Sequence, residues 1–177
     1  MRKIKLKNNK QKMYFIGILL LLSLSGVLGV APNLNQEDNP SNVDLSQMER
    51  TQVERVVDGD TIVVAEKRKV RLILINAPES VHPDKKRNSE YGKRASAYLK
   101  DLLEGKTVYL ERDVSDTDRY GRLLRYVYLP DGTLINEKIV MDGYANLSTY
   151  PPDVKYVHII QAAEQFAREN NLGLWKK

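Results

Sequence analysis

The sequence predicts an α+β, mainly β domain: a five-stranded barrel with three helices packed against it. Three observations predict it. Five short runs are apolar and rich in β-branched residues, as half-buried strands are. Three further stretches carry apolar residues at helical spacing or end on a helix-stopping glycine. Asp58-Gly59, between the first two apolar runs, is a strong signal for a hairpin.

The elements follow in order. Residues 51–57 (TQVERVV) and 61–66 (TIVVAE) read as two strands joined at the turn Asp58-Gly59-Asp60. Residues 69–75 (KVRLILI) read as a third strand. Residues 76–90 form a polar loop with two prolines. Tyr91 to Glu104 is an amphipathic helix with Ala95, Tyr98, Leu99, Leu102 and Leu103 on one face, stopped by Gly105. Residues 107–112 (TVYLER) and 122–129 (RLLRYVYL) are the fourth and fifth strands, separated by a polar loop. Tyr126 and Tyr128 alternate on the fifth strand and read as core or barrel-wall residues. After the turn Pro130-Asp131-Gly132, residues 134–143 (LINEKIVMDG) are a short helix. The loop 144–153 leads into a last amphipathic helix, Val154 to Asn171, and Trp175 beyond it reads as a packing anchor. Five strands with a helix between the third and fourth fit the oligonucleotide-binding (OB) type of closed barrel.

The chain has 177 residues, enough for one domain and some tail. Its formal charge of +5 is misleading as a sign of polyanion binding. Six of the 28 Lys and Arg lie within the first twelve residues, before any acid. Beyond residue 31, 28 − 6 = 22 bases face 23 acids, a balance of −1, so attraction for a polyanion must come from local clusters. The absence of cysteine excludes disulfides, thiolate metal sites, thiol nucleophiles and a lipid-modified cysteine.

Ahead of the domain, a basic segment precedes a near-unbroken apolar run, Met13 to Ala31. Residues 1–31 therefore read as a signal peptide or an N-terminal membrane anchor, with small residues before a cleavage point at Gly29. The run is long enough to span a bilayer as a helix. The basic flank would stay in the cytoplasm, so the domain would be secreted or held on the outer face of the membrane. Residues 32–50 are polar and read as a disordered linker, with the domain occupying 51–177.

Three groups carry candidate chemistry. Asp58 and Asp60 sit at the hairpin turn, where turn chemistry alone would account for them. Arg71 lies inside an apolar strand, and with side chains alternating it shares a face with Ile73 and Ile75. A buried arginine needs an anionic partner, either a structural carboxylate or a phosphate. In Asp118-Arg119-Tyr120-Gly121-Arg122, two arginines flank a turn whose glycine allows close approach, and arginine's planar fork suits a phosphate. Asp60, the Asn76 side-chain oxygen and a backbone carbonyl could meet a hard cation such as Ca²⁺. Glu79 could take a proton from water, and Arg71 and Arg122 could neutralise charge on a phosphate. Together these are the parts of metal-assisted phosphodiester hydrolysis.

Several stretches in one order, VVDGDTI, RLILINAPES, YGKRASAYL, DRYGRLL, INEKIVMDGYA and LGLW, resemble the thermonuclease, or staphylococcal-nuclease-like, family over about Thr51 to Trp175. The resemblance implies the OB barrel with three helices. It implies Asp60 as a calcium carboxylate, Asn76 at a position that usually holds a second carboxylate, and Ala77 giving its carbonyl. Glu79 would be general base or water-positioning group, and Arg71 and Arg122 the phosphate-binding catalytic arginines. Arg119 and Tyr120 would approach a neighbouring phosphate, and Tyr150 would stack on a base. The implied activity is Ca²⁺-dependent endonuclease cleavage of DNA and RNA leaving 3′-phosphate ends, by a monomer. Two departures stand out: Asn76 removes one negative charge, and Tyr150 stands where the family often carries two tyrosines. The competing expectation is a non-catalytic OB module that binds single strands or a protein. His82 and His158 carry no metal motif and read as surface residues.

Overall fold

The computed structural model describes residues 43–79 and 89–176. The expected signal or anchor at residues 1–31 and its membrane contact through residues 13–31, the first part of the expected linker, and His82 lie outside the described residues. No helix among the described residues is long and apolar enough to cross a membrane.

The described chain forms strands β1 (Glu49–Asp58), β2 (Thr61–Val64), β3 (Arg68–Leu72), β4 (Ile75–Asn76), β5 (Thr107–Glu111), β6 (Leu123–Tyr128) and β7 (Asn146–Leu147). Its α-helices are α1 (Glu90–Leu103), α2 (Ile135–Met141) and α3 (Val157–Glu169). Five strands close a barrel in the order β1-β2-β3-β6-β5. Closure depends on β1, which pairs with β5 along its first half and with β2 along its second, the β1–β2 ladder shifting register between Val53 and Arg55 and again between Val56 and Asp58. β3 and β6 meet in parallel, and the other barrel pairs are antiparallel. The expected mainly β barrel with three helices is the observed fold.

Two boundaries differ from the sequence expectation. The structured chain reaches back before Thr51: β1 starts at Glu49, and Val43, Leu45 and Met48 pack against the core. Residues 43–50 are thus part of the domain and no linker. Apolar side chains spaced through a polar stretch cover the barrel where a linker would have left it open. The run KVRLILI is also two strands, not one. It breaks after Leu72, and Leu74 takes a left-handed backbone with φ 64° before β4 begins. β4 pairs with β7 in a separate two-stranded ladder. Alternation therefore does not run through the break, and all of Leu72, Ile73, Leu74 and Ile75 are buried. A left-handed leucine costs on the order of 1 kcal/mol, and a buried side chain holds the break in place. Asn136 Nδ2 donates to the Ile73 carbonyl at 2.8 Å, and its Oδ1 accepts the Val127 N–H at 2.9 Å.

The helices close the barrel as their apolar spacing requires. Ala95, Leu99 and Leu103 of α1 are fully buried, and α1 packs on β1. Ser89 caps α1 by accepting from the Gly92 N–H at 2.8 Å. The last helix starts three residues later than expected, at Val157. Tyr126 and Tyr128 are buried in the barrel with their hydroxyls bonded to Asp113 and Glu111, both at 3.0 Å. His158 is exposed on α3, and the Trp175 ring packs under the Arg168 guanidinium, 3.8 Å from its centroid.

Candidate active site

Sheet register brings the first pair of charged residues together. Thr61 of β2 lies opposite Arg71 of β3, so Asp60 at the turn is adjacent to the arginine. Arg71 Nη2 lies 3.1 Å from Asp60 Oδ2, with both side chains largely buried (14% and 12% exposed). Arg71 Nη1 donates to the Leu72 carbonyl. Burial pulls the Arg71 guanidinium below the ordinary arginine value; Asp60 opposes the shift and nearby Arg122 adds to it. An arginine remains protonated at neutral pH even so. The carboxylate alternative for Arg71 is therefore realised, and its Nε has no partner among the described residues.

The second arginine is held by its own turn. Asp118 Oδ2 accepts Arg122 Nε at 2.7 Å, while Oδ1 accepts the N–H groups of Tyr120 (2.9 Å) and Arg122 (3.0 Å). Backbone bonds between Asp118 and Arg122 and from Gly121 to Asp118 close the loop, with Gly121 at φ 75°. Burial pushes the Asp118 carboxyl up, but the bonds from Arg122 and Tyr120 together hold it below the usual range. With Nε committed, both Arg122 Nη groups are left without a partner among the described residues. The Arg119 and Arg122 guanidiniums lie 4.8 and 5.6 Å from the centroid of the exposed Tyr120 ring.

These groups share one cavity of about 480 Å³, into which Arg71, Arg119, Tyr120, Arg122 and Tyr150 all face. Asp60, Asn76, Ala77 and Glu79 do not line it. They adjoin it through Arg71's partner: the Ala77 N–H donates to Asp60 Oδ2 at 3.1 Å, which sets the Asn76-Ala77 peptide beside the carboxylate. Asn76 and Glu79 are exposed, and Ala77 is buried.

Two glycines allow this approach. A Cβ on Gly59 would lie 2.6 Å from Ala77 Cβ and 2.9 Å from Ala95 Cβ. Gly59 does not have a left-handed backbone, so at this turn glycine is needed for space more than for conformation. A Cβ on Gly92 would lie 2.2 Å from the Glu79 carbonyl, which also accepts the Ser89 N–H at 3.0 Å. The start of α1 thereby fixes the backbone at Glu79.

The donor set around Asp60 fits a hard divalent cation in kind: a carboxylate, a carboxamide oxygen and a backbone carbonyl, with no sulfur or imidazole. Its charge is low. Among the described residues no three acidic or histidine side chains converge. Asp60 also shares its oxygens with Arg71, the Ala77 N–H and the Thr61 hydroxyl, the last at 2.9 Å.

Residues without a role in the sequence analysis also shape the site. Asp118 is the clamp of Arg122, and its position four residues ahead of the arginine with glycine between is the signal that could have identified it. Ser148 and Asp153 line the cavity, and no local motif marks either.

The staphylococcal nuclease homologue family model matches residues 69–177. A thermonuclease of Staphylococcus intermedius is 39% identical over 128 residues, covering 71% of this chain and 75% of the relative. A thermonuclease of Staphylococcus hyicus is 38% identical over 124 residues, covering 68% and 72%. Endonuclease YncB of Bacillus subtilis is 36% identical over 146 residues, covering 78% and 67%. With its closed barrel and three helices, the chain belongs to the staphylococcal nuclease family.

Proposed function

We propose that this chain is an exported endonuclease that uses calcium to hydrolyse phosphodiester bonds of DNA and RNA, leaving 3′-phosphate ends. The observation that carries the reading is the meeting of Arg71 and Arg122 in one cavity, each held by its own carboxylate. Pre-held guanidiniums stabilise charge on a phosphate without reorganising during reaction. The thermonuclease and endonuclease names of the relatives support the same chemistry, and the chain is a nuclease of the hydrolase class.

The side chains divide the work. Arg122 presents its Nη fork to the non-bridging oxygens of the phosphate, with Arg71 beside it. Arg119 and Tyr120 take the neighbouring phosphate, and Tyr150 offers its ring to a base. Glu79 accepts a proton from the water whose oxygen bonds to phosphorus. The bond from phosphorus to the 5′ oxygen breaks, and that oxygen takes a proton from solvent. Asp60, Asn76 and the Ala77 carbonyl would hold calcium, which when bound supplies a Lewis acid for a phosphate oxygen. The basic segment and apolar run at residues 1–31 support export, with the product secreted or anchored on the outer face of the membrane. The site lies within one chain, which supports a monomer as the working unit.

The test is plasmid degradation by the purified full chain in detergent, across a calcium titration with a chelator blank and a magnesium arm. Calcium-dependent cleavage is the expected result. DNA retained but uncut at every calcium level would overturn the reading in favour of a binding module.

A further inference from the structure

The cavity that holds the arginines also holds a carboxylate that phosphate chemistry does not explain. Asp153 lines it and is 6% exposed. Its Oδ1 accepts the N–H groups of Val114 and Ser115 at 3.0 and 2.7 Å, tying the loop after β5 to the segment before α3. That structural duty occupies one oxygen only. Oδ2 has no hydrogen-bond partner among the described residues; the residue is more than nine-tenths buried, and this oxygen keeps its contact with solvent through the cavity that Asp153 lines. Asp118, the other carboxylate on the cavity wall, is paired with Arg122. A strand seated in the cavity would strip water from this oxygen, which is unfavourable unless the substrate brings a hydrogen-bond donor to it.

The surroundings indicate which part of a strand comes there. Ile73, Leu74, Ile75 and Leu124 make this part of the wall apolar. Ser148 joins Asp153 on it; its N–H donates to the Leu74 carbonyl at 2.9 Å, and its hydroxyl has no partner among the described residues. The Asp153 N–H donates to the Tyr150 carbonyl at 3.2 Å, so the Tyr150 ring, 75% exposed, stands one turn away. An apolar wall with two polar groups and an adjacent aromatic face suits a nucleobase read along its edge.

We infer that Asp153 is a specificity-determining residue that accepts a hydrogen bond from the exocyclic amino group of a base, with Ser148 as its polar neighbour. Carboxylates accept from the cytosine amino group. Uracil and thymine present a carbonyl oxygen at that position, which repels a carboxylate. The inference rests on the nuclease reading in taking a nucleic-acid strand as the substrate.

The test uses single-stranded oligonucleotides identical but for one base beside the cleaved bond, deoxycytidine or deoxyuridine, which differ in the 4-amino group against a 4-carbonyl and in the proton that uracil carries on N3. The parent should cleave the cytosine substrate faster by about fivefold or more in kcat/KM. Asp153→Asn keeps an acceptor for Val114 and Ser115 but replaces the free oxygen with a donor, and should abolish or reverse the ratio. Ser148→Ala, whose backbone bond is unaffected, should reduce it. A parental ratio near one, or an Asp153→Asn protein that cleaves with the parent's ratio, would overturn the inference. If the parent cleaves neither substrate, the nuclease reading fails separately. Calorimetric titration with deoxycytidine and deoxyuridine 5′-monophosphates then decides base selection: tighter cytidine binding upholds it, and equal binding overturns it.

Discussion

The two arginines of the site reach one cavity by different routes. Arg71 meets Asp60 because β2 and β3 pair in a register that brings residues eleven apart into contact. Arg122 meets Asp118 within a single five-residue turn. The first pair is deeper, with side chains 14% and 12% exposed against 29% and 17%. The difference teaches which part of the fold each arginine reports on. Arg71 depends on the closed barrel, whereas Arg122 depends on its own turn, and loss of either should act on catalysis while only the first should act strongly on the whole fold.

The largest effect expected is on cleavage. Arg71→Ala and Arg122→Ala should each lower kcat/KM by about 10²–10³, the scale for removing one preorganised stabiliser of transition-state charge. Glu79→Gln should lower kcat by about 10²–10⁴. The two arginine variants should part in stability. Arg71→Ala leaves Asp60 buried without its cation and should cost about 3 kcal/mol in denaturant unfolding, while Arg122→Ala should cost about 1 kcal/mol. Equal stability losses would break the comparison, and parental cleavage by either would remove that arginine from the catalytic set.

A smaller effect isolates the turn. Asp118→Asn keeps an acceptor for the backbone N–H groups but removes the charge opposite Arg122, and should cost about 1.5 kcal/mol at neutral pH. Because the folded carboxyl lies below its unfolded value, its contribution is fully present above about pH 4, where the unfolded group ionises. It is lost as pH falls through the lower folded value. The stability gap between parent and variant should therefore be constant from neutral pH down to about pH 4 and close below it. A gap that closes between pH 7 and 5 would assign the stabilisation to another group.

The same contrast explains what the sequence made legible. Barrel strands, the helix face of Ala95, Leu99 and Leu103, and the turn 118–122 rest on local spacing, and periodicity or turn chemistry exposes them. Arg71 was recognisable as a charge in an apolar run, but its pairing with Asp60 comes from sheet register, which no local window contains. The break at Leu72 was hidden for the same reason: Asn136, more than 60 residues downstream in sequence, holds it. Gly59 has the composition of a turn glycine, yet its close contacts are with Ala77 and Ala95 on two later segments. Asp153 and Ser148 are single residues without a pattern, and only the folded chain places them on the cavity wall.

The smallest effect concerns the candidate metal ligands beside Arg71. There Asp60 is buried and shares its oxygens, whereas Asn76 is exposed and opposite Asn146 in the β4–β7 pair. A carboxylate at position 76 would add one negative charge to a donor set that has few, and ligand charge is one of the quantities that set calcium affinity. Water screens an exposed position, and the amide already offers an oxygen, so the gain is limited. Asn76→Asp should lower the calcium concentration for half-maximal cleavage by about threefold, close to 0.7 kcal/mol, with little change in the maximal rate. Asn76 is exposed and does not line the cavity that Arg71 and Arg122 share, so cleavage at saturating calcium should retain its dependence on both. An unchanged calcium midpoint would remove residue 76 from the metal-binding set. A maximal rate that rises along with affinity would show that the metal ligands and the arginines are coupled, and that holding the arginines ready is not sufficient without a second carboxylate at the metal.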